Sequence, residues 1–345
     1  LRFTRLTFSK RGGVNQIANR LLQTFAAPFA MESENVVINV SIGVVHVSGT
    51  KDITLWLRNS SIALSNAKQD KTRVSIYSPE MGNASRHRTQ MLTRINRAIE
   101  QQQFEPFYQP IIDLESGSPI GAEALARWVT KEGVISPLEF IPLAEDTGLI
   151  YDIGKQILHK SCRDTAIAIE LGKWDKDFSL HVNLSVDQLT ENGFIELVKN
   201  TLSDTKLPAK NLTLEITESR IIDNDPTIID NMLTLKALGI SIAIDDFGTG
   251  YSSLAYLQKL PFDCLKIDRS FVSKLDQENL DSSIVAAIVN ITKGFKVSLV
   301  AEGVETQQQA ELLKQLQCPL AQGFLYSRPV PFDQWPSNIT NHNSK

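Results

Sequence analysis

The stretch Ile240-Ser241-Ile242-Ala243-Ile244-Asp245-Asp246-Phe247-Gly248-Thr249-Gly250-Tyr251-Ser252-Ser253 joins a strand signal to a chemical one. Its first five residues are apolar or small and rich in Ile, which predicts a buried strand. The strand ends in two adjacent carboxylates, followed by a glycine-containing turn and a polar cluster suited to opening a helix. Burying unpaired carboxylates is strongly unfavourable. Divalent cations, which favour oxygen ligands, are one compensation. A lone Asp-Asp pair is most often a solvated turn; the recurrence of similar endings along the chain weighs against that here.

Outward from this stretch, strand and helix signals alternate from about Phe104 to about residue 340. Strands are predicted at Phe107–Asp113, Ile120–Trp128, Phe178–Asn183, Leu212–Ile216, Ser241–Asp245, Cys264–Ile267, Val297–Ala301 and Ala321–Phe324. Amphipathic helices are predicted between most of them, among them Asp152–Leu171, Phe194–Leu202, Ile228–Leu238, Ser282–Phe295 and Thr306–Leu316. Alternation over roughly 230 residues predicts an α/β fold, a TIM-like (β/α)8 barrel. The first two strands are too close for a helical crossover, so an antiparallel pair with a turn at Ser116-Gly117 is expected.

The predicted strand ends carry Glu123, Asn183, Glu215, Asp245-Asp246, Lys266, Glu302 and Gln322. In a barrel the C-terminal strand ends converge on one face, where active sites sit. Residues scattered over some 200 positions then meet in one pocket. Carboxylates and an amide suit hard cations such as Mg2+ or Mn2+, not structural zinc, which takes Cys or His. Lys266 lies between Leu265 and Ile267, so those two point outward to the helices while Lys266 points into the barrel.

Residues from about Phe104 to Trp335 closely resemble an EAL domain, the phosphodiesterase of cyclic di-GMP signalling, whose name is spelled by Glu123-Ala124-Leu125. The resemblance implies hydrolysis of cyclic di-GMP to linear pGpG with two Mg2+ or Mn2+ ions, Ca2+ being inhibitory. It implies that Glu123, Asn183, Glu215 and Asp245 hold one ion, and that Asp245 and Asp246 hold the second. Lys266 is expected to contact and activate the hydrolytic water, Glu302 to support the cation's water shell, and Glu123 to count among the catalytic groups. Arg127, Leu125 and Gln322 are expected at the substrate, with Arg127 on a phosphate. Glu218, Thr249 and Glu305 are expected to support the loop after the Asp pair. The family's coupling of this loop to assembly implies a homodimer through residues 247–258, where Tyr251, Leu254, Tyr256 and Leu257 cluster. The alternatives are a catalytically silent cyclic di-GMP receptor and a phosphodiesterase for another substrate.

Residues 1–85 read as a small α/β unit: a strand at Phe3–Phe8, helices at Val14–Phe25 and Ile53–Lys68, a β-rich run at Val36–Val47 and a strand at Val74–Tyr77. Ser41-Ile42-Gly43, Ala63-Leu64, Ala67-Lys68, Arg73 and Tyr77 resemble the C-terminal half of a GGDEF domain, the diguanylate cyclase fold. The Gly-Gly-Asp/Glu-Glu-Phe signature is missing and Ser61 stands where an acid is usual, so a partial, degenerate unit without cyclase activity is expected. Residues 86–103 predict a linker helix (Met91, Leu92, Ile95, Ala98, Ile99), and 104–340 the barrel.

The chain has 345 residues, 42% hydrophobic and 21% charged, with net charge −4. That balance supplies no bulk attraction for nucleic-acid polymers or anionic membrane. No apolar run approaches the about 20 residues that span a bilayer, and no signal peptide is expected in this stretch. Cys162, Cys264 and Cys318 lie far apart and read as reduced thiols, placing this portion in the cytoplasm. The chain opens at Leu1 rather than Met, which reads as part of a longer protein and leaves room for a membrane anchor outside it.

Overall fold

The computed structural model describes residues 12–31, 34–47, 52–69, 73–218, 226–248, 257–275 and 280–336. The chain divides into two compact units, Leu1–Arg94 and Ile95–Lys345. No helix among the described residues is long and apolar enough to cross a membrane.

In the first unit a helix, Gly12–Thr24, precedes an antiparallel pair, β1 (Phe29–Met31) and β2 (Glu34–Val36). β3 (Ile42–Val44) and β4 (Val74–Ile76) pair in parallel, joined through the helix Ile53–Gln69. That helix lies against the pair through small residues. Ala63 and Ala67 are fully buried, and a Cβ on Gly43 would come within 2.3 Å of the Leu64 backbone nitrogen. The predicted strand at Phe3–Phe8 lies outside the described residues. The helix predicted over 86–103 runs from Pro79 to Glu100. Proline is favoured at a first helical position, and the chain leaves the helix through Gln102 with φ 54°.

The second unit is a closed eight-strand barrel. Its strands are β5 (Phe104–Asp113), β6 (Pro119–Thr130), β8 (Ser179–Asn183), β9 (Leu212–Thr217), β10 (Ser241–Phe247), β11 (Cys264–Ile267), β12 (Ser298–Ala301) and β13 (Leu320–Gln322); the short β7 (Gly133–Ile135) pairs only with β6. β5 runs antiparallel to both β6 and β13, and the other neighbours in the ring are parallel. The turn from β5 to β6 is fastened by Asp113, whose Oδ1 accepts the Ser116 and Glu115 amides at 2.7 and 3.1 Å; these bonds hold its carboxyl below the usual range. Gly117 supplies the left-handed residue the turn needs, with φ 71°.

The surrounding helices start and stop at sequence-encoded caps. Ser136 accepts the Leu138 amide ahead of Pro137–Thr147, which ends at Gly148 with φ 75°. Thr306 and Gln309 form a capping box ahead of Gln307–Gln315, as Ser185 and Gln188 do ahead of Val186–Thr190.

The barrel interior is layered. Ile111, Ala243, Cys264 and Val300 form an apolar cluster with Leu320 packed against it. Ala243, Cys264, Val300 and Leu320 lie two residues before Asp245, Lys266, Glu302 and Gln322. In the antiparallel β5, Ile111 lies two residues after Gln109. Strand side chains alternate with period two, so each pair shares a face. An apolar floor therefore closes the barrel beneath a polar layer at the C-terminal strand ends.

Candidate active site

Lys266 stands at the centre of the polar layer, and it is fully buried. Its Nζ lies 2.5 Å from Glu302 Oε1, 2.7 Å from Glu215 Oε2, 3.3 Å from Glu123 Oε2 and 3.4 Å from Asp245 Oδ1. β6, β9, β10 and β11 supply four of these groups, and Glu302 follows β12. Burial opposes a charged ammonium, but Asp245, Glu123, Glu215 and Glu302 overcome it and hold the Lys266 pKa well above its ordinary value. Leu265 and Ile267 are buried on the other side of β11.

The acids around the lysine are not equivalent. Burial raises the Glu302 and Glu215 carboxyls well above the usual range despite Lys266. Burial acts on Glu123 as well, but Lys266, Gln322 and Asn183 outweigh it and lower its pKa. Asn183 Nδ2 donates to Glu123 Oε1 at 2.5 Å, and Gln322 Nε2 donates to Glu123 Oε2 at 2.6 Å. Gln322 Nε2 also reaches Gln109 Oε1 at 3.0 Å, and Gln109 in turn donates to the Ser327 carbonyl. His181 Nδ1 lies 2.7 Å from Glu215 Oε1, within a hydrogen bond of a buried carboxylate.

The adjacent acids Asp245 and Asp246 require a local distortion. In a regular strand consecutive side chains point to opposite faces. Here Asp246 takes φ 54°, a region that Asp tolerates better than most residues, and the pairing of β10 with β11 shifts register between Ile244 and Phe247. Oxygens of Asp245, Asp246 and Glu302 consequently lie within 4.8 Å of one another. Burial, then Asp245 and Asp268, push the Asp246 carboxyl up to about 6.

This donor set fits a hard divalent cation. The ligand atoms are oxygens, and the buried Asp245 Oδ1 accepts no hydrogen bond. Asn183 is exposed beside Glu123.

The chain after Asp246 is held from two sides. Glu218 Oε2 accepts the Gly248 amide at 2.8 Å, and Gly248 has φ 98° with the Phe271 ring so close that a Cβ would come within 2.7 Å of it. Thr249 lies outside the described residues, as do Tyr251, Leu254 and Tyr256 of the predicted dimer contact; Leu257 is buried. Glu305 has an exposed side chain, and its amide donates to Gln309 Oε1 at 2.8 Å in the cap of the following helix. On β6, half-buried Arg127 lies 5.8 Å over the Phe107 ring of β5, and Arg328, after β13, lies 4.3 Å over Phe324. Leu125, two residues from both Glu123 and Arg127 on β6, is partly buried.

Two participants were not expected from the sequence, His181 and Gln109. Each sits on an inward strand face beside a residue that was read. The available signal was the period-two step from Asn183 to His181 and the pairing of Gln109 opposite Glu123.

The match with known proteins is extensive. The family model described as the EAL domain matches residues 92–329. The chain is 37% identical over 326 residues to the bifunctional diguanylate cyclase/cyclic di-GMP phosphodiesterase MucR of Pseudomonas aeruginosa; the match covers 94% of this chain and 47% of that protein, so this chain spans less than half of it. Among solved structures, the PaMucR phosphodiesterase in complex with c-di-GMP superposes with a TM-score of 0.67 at 42% identity, covering 71% of this chain and 99% of the other. The EAL enzyme Bd1971, bound to cAMP and cyclic di-GMP, gives a TM-score of 0.70 at 30% identity, covering 83% and 75%. With this site at the mouth of this barrel, the chain belongs to the EAL domain family.

Proposed function

We infer that the barrel hydrolyses cyclic di-GMP to linear pGpG. The observation that carries this is the convergence of Glu123, Glu215, Asp245 and Glu302 on the buried Lys266, with Asp246 turned into the same cluster. An anionic phosphodiester resists attack by water, and two divalent cations, when bound, supply charge neutralisation and a lowered water pKa. Glu123, Asn183, Glu215 and Asp245 are assigned to one Mg2+ or Mn2+ ion and Asp245 with Asp246 to the second, Asp245 being shared.

The chain's own groups divide the remaining work. Lys266 stays protonated among its acids, so it serves as a fixed positive charge that orients the attacking water and stabilises developing negative charge. Glu302, 2.5 Å from the Lys266 ammonium, holds that charge in place and is assigned to the cation's water shell. Asn183 and Gln322 hold Glu123. Arg127 is assigned to a ligand phosphate, with Leu125 and Gln322 bordering the ligand. Water adds to phosphorus, one ester P–O bond breaks, and the leaving ribose oxygen takes up a proton. Arginines lying over aromatic rings at Phe107 and Phe324 suit a ligand that combines phosphates with flat bases.

Residues 1–85 are assigned to a partial GGDEF-like unit that scaffolds or regulates rather than catalyses, with 104–340 as the phosphodiesterase. Support comes from the β3–β4 pair and the close approach of Gly43 to Leu64. Glu218 and Thr249, with Glu305, are assigned to supporting the loop after Asp246, and residues 247–258 to a homodimer contact. Inhibition by Ca2+ is expected because it takes more ligands at longer distances than Mg2+. The buried free thiols of Cys162, Cys264 and Cys318 support placement of this portion in the cytoplasm.

The test is incubation with cyclic di-GMP and Mg2+ or Mn2+, with separation of nucleotides, a Ca2+ control and a binding titration on the same sample. Appearance of pGpG is expected. Tight binding without product would make the barrel a receptor, and absence of both would overturn the substrate assignment.

A further inference from the structure

The lower part of the barrel interior is filled by small or apolar side chains on most strands. Two residues before the polar group, β6 has Gly121, β10 has Ala243, β11 has Cys264, β12 has Val300 and β13 has Leu320. β9 has Thr213, whose hydroxyl bonds to Ser179 at 3.0 Å. β8 alone places an imidazole there. His181 is 6% exposed and stands in register with Glu123, yet its Nδ1 reaches across to Glu215 Oε1 at 2.7 Å.

Both oxygens of Glu215 are therefore engaged, Oε1 by His181 and Oε2 by Lys266 at 2.7 Å. A carboxylate that ligates a cation is ionised and has no proton to give, so in the loaded site the imidazole donates through Nδ1–H. A buried carboxylate attached to the protein only through its own side-chain torsions is free to rotate. One bonded at a fixed oxygen keeps the other aimed at the centre of the site. Removing a group that orients a cation's ligand in this way typically costs about 10–100-fold in metal affinity.

We propose that His181 is a positioning residue for cation binding: its Nδ1–H clamps Glu215 Oε1 and leaves Oε2 presented to the cation, a role that rests on the cation-dependent chemistry inferred above. The side chain acts through Glu215, its hydrogen-bond partner. What it sets is the cation concentration at which the site fills.

The geometry offers a sharp substitution series. The Asn amide nitrogen stands close to the position of an imidazole Nδ1, whereas the longer Gln amide stands close to Nε2. Leu fills similar space and donates nothing. Mn2+ affinity of the whole chain, read by the loss of the free-ion electron paramagnetic resonance signal without nucleotide, is the primary measurement. His181→Leu and His181→Gln are expected to bind Mn2+ about 10–100-fold more weakly than the unaltered chain. His181→Asn is expected to recover most of that loss. In turnover, the same variants are expected to raise the Mn2+ concentration at half-maximal rate more than they lower the rate at saturating Mn2+.

Unchanged Mn2+ affinity in His181→Leu would overturn the assignment, as would a His181→Asn variant no better than His181→Gln. The Asn–Gln comparison decides the matter if His181→Leu does not fold. Because Mn2+ binding is read without substrate, a chain that binds Mn2+ with the expected variant order but leaves cyclic di-GMP intact would refute the substrate and preserve His181. A chain that binds no Mn2+ would refute both.

Discussion

Lys266 Nζ donates to Glu215 Oε2 across 2.7 Å, and both side chains are sealed from solvent. A buried ion pair is costly to break from one side, by about 3–5 kcal/mol, because the surviving charge is left uncompensated. Lys266→Ala leaves Glu123, Glu215, Asp245 and Glu302 facing one another. The expected result is a lower melting temperature without divalent ions, a larger stabilisation by Mn2+ than in the unaltered chain, and turnover reduced by about 10²–10³-fold. Differential scanning calorimetry with and without Mn2+ and chromatography of pGpG check these outcomes. An equal Mn2+ response in both proteins would contradict this account.

Gln322 is held between two acceptors, Glu123 Oε2 at 2.6 Å and Gln109 Oε1 at 3.0 Å. Replacing its amide by a carboxylate sets like charges against Glu123. Gln322→Glu is expected to lose more activity than Gln322→Ala, by about tenfold, equivalent to about 1.4 kcal/mol. Turnover of the two variants under the same Mn2+ concentration reads the difference, and equal losses would mean that only the side-chain volume matters.

Gly248 and Gly117 both have positive φ, 98° and 71°, but only Gly248 is crowded, by the Phe271 ring. Gly117→Ala is expected to cost about 1 kcal/mol from the backbone alone and to leave turnover unchanged. Gly248→Ala adds a collision next to Asp246 and disturbs the amide held by Glu218. Its expected signature is reduced turnover together with weaker Mn2+ binding. Urea unfolding and steady-state kinetics on the pair separate strain from function.

Trp174 stacks on Phe178 at 4.2 Å and packs edge-on with Trp335 at 4.9 Å and Tyr108 at 5.7 Å. It precedes the N-terminal end of β8, away from the strand ends that carry the site. Trp174→Ala is expected to destabilise the barrel by about 3–5 kcal/mol while leaving turnover below the melting transition intact. A selective loss of turnover in a fully folded variant would refute the separation between this cluster and the site.

The sequence alone determined the identity and spacing of the barrel's elements and most of its chemistry. Alternation marked the inward face of each strand, and the recurrence of polar residues at strand ends marked the mouth. Lys266 was legible as inward-facing from Leu265 and Ile267, since side-chain period is a local property of the backbone. The start of β5 at Phe104 was read three residues late because Pro106 interrupts the strand signal, whereas in the barrel Pro106 pairs opposite Ala126.

Tertiary structure decided which of these groups meet. Strict alternation sends Asp245 and Asp246 to opposite faces; the left-handed Asp246 and the register shift beside β11 bring both to one cluster. His181 in Ser-Leu-His-Val-Asn has no distinguishing local pattern, and only the registers linking β8 to β6 and β9 place it against Glu215. Closure of the barrel by β13 against β5 carries Gln322 to Gln109 and Glu123. Period and propensity act over a few neighbouring residues, whereas these contacts join positions up to 213 apart and exist only once closure has fixed the stagger between strands.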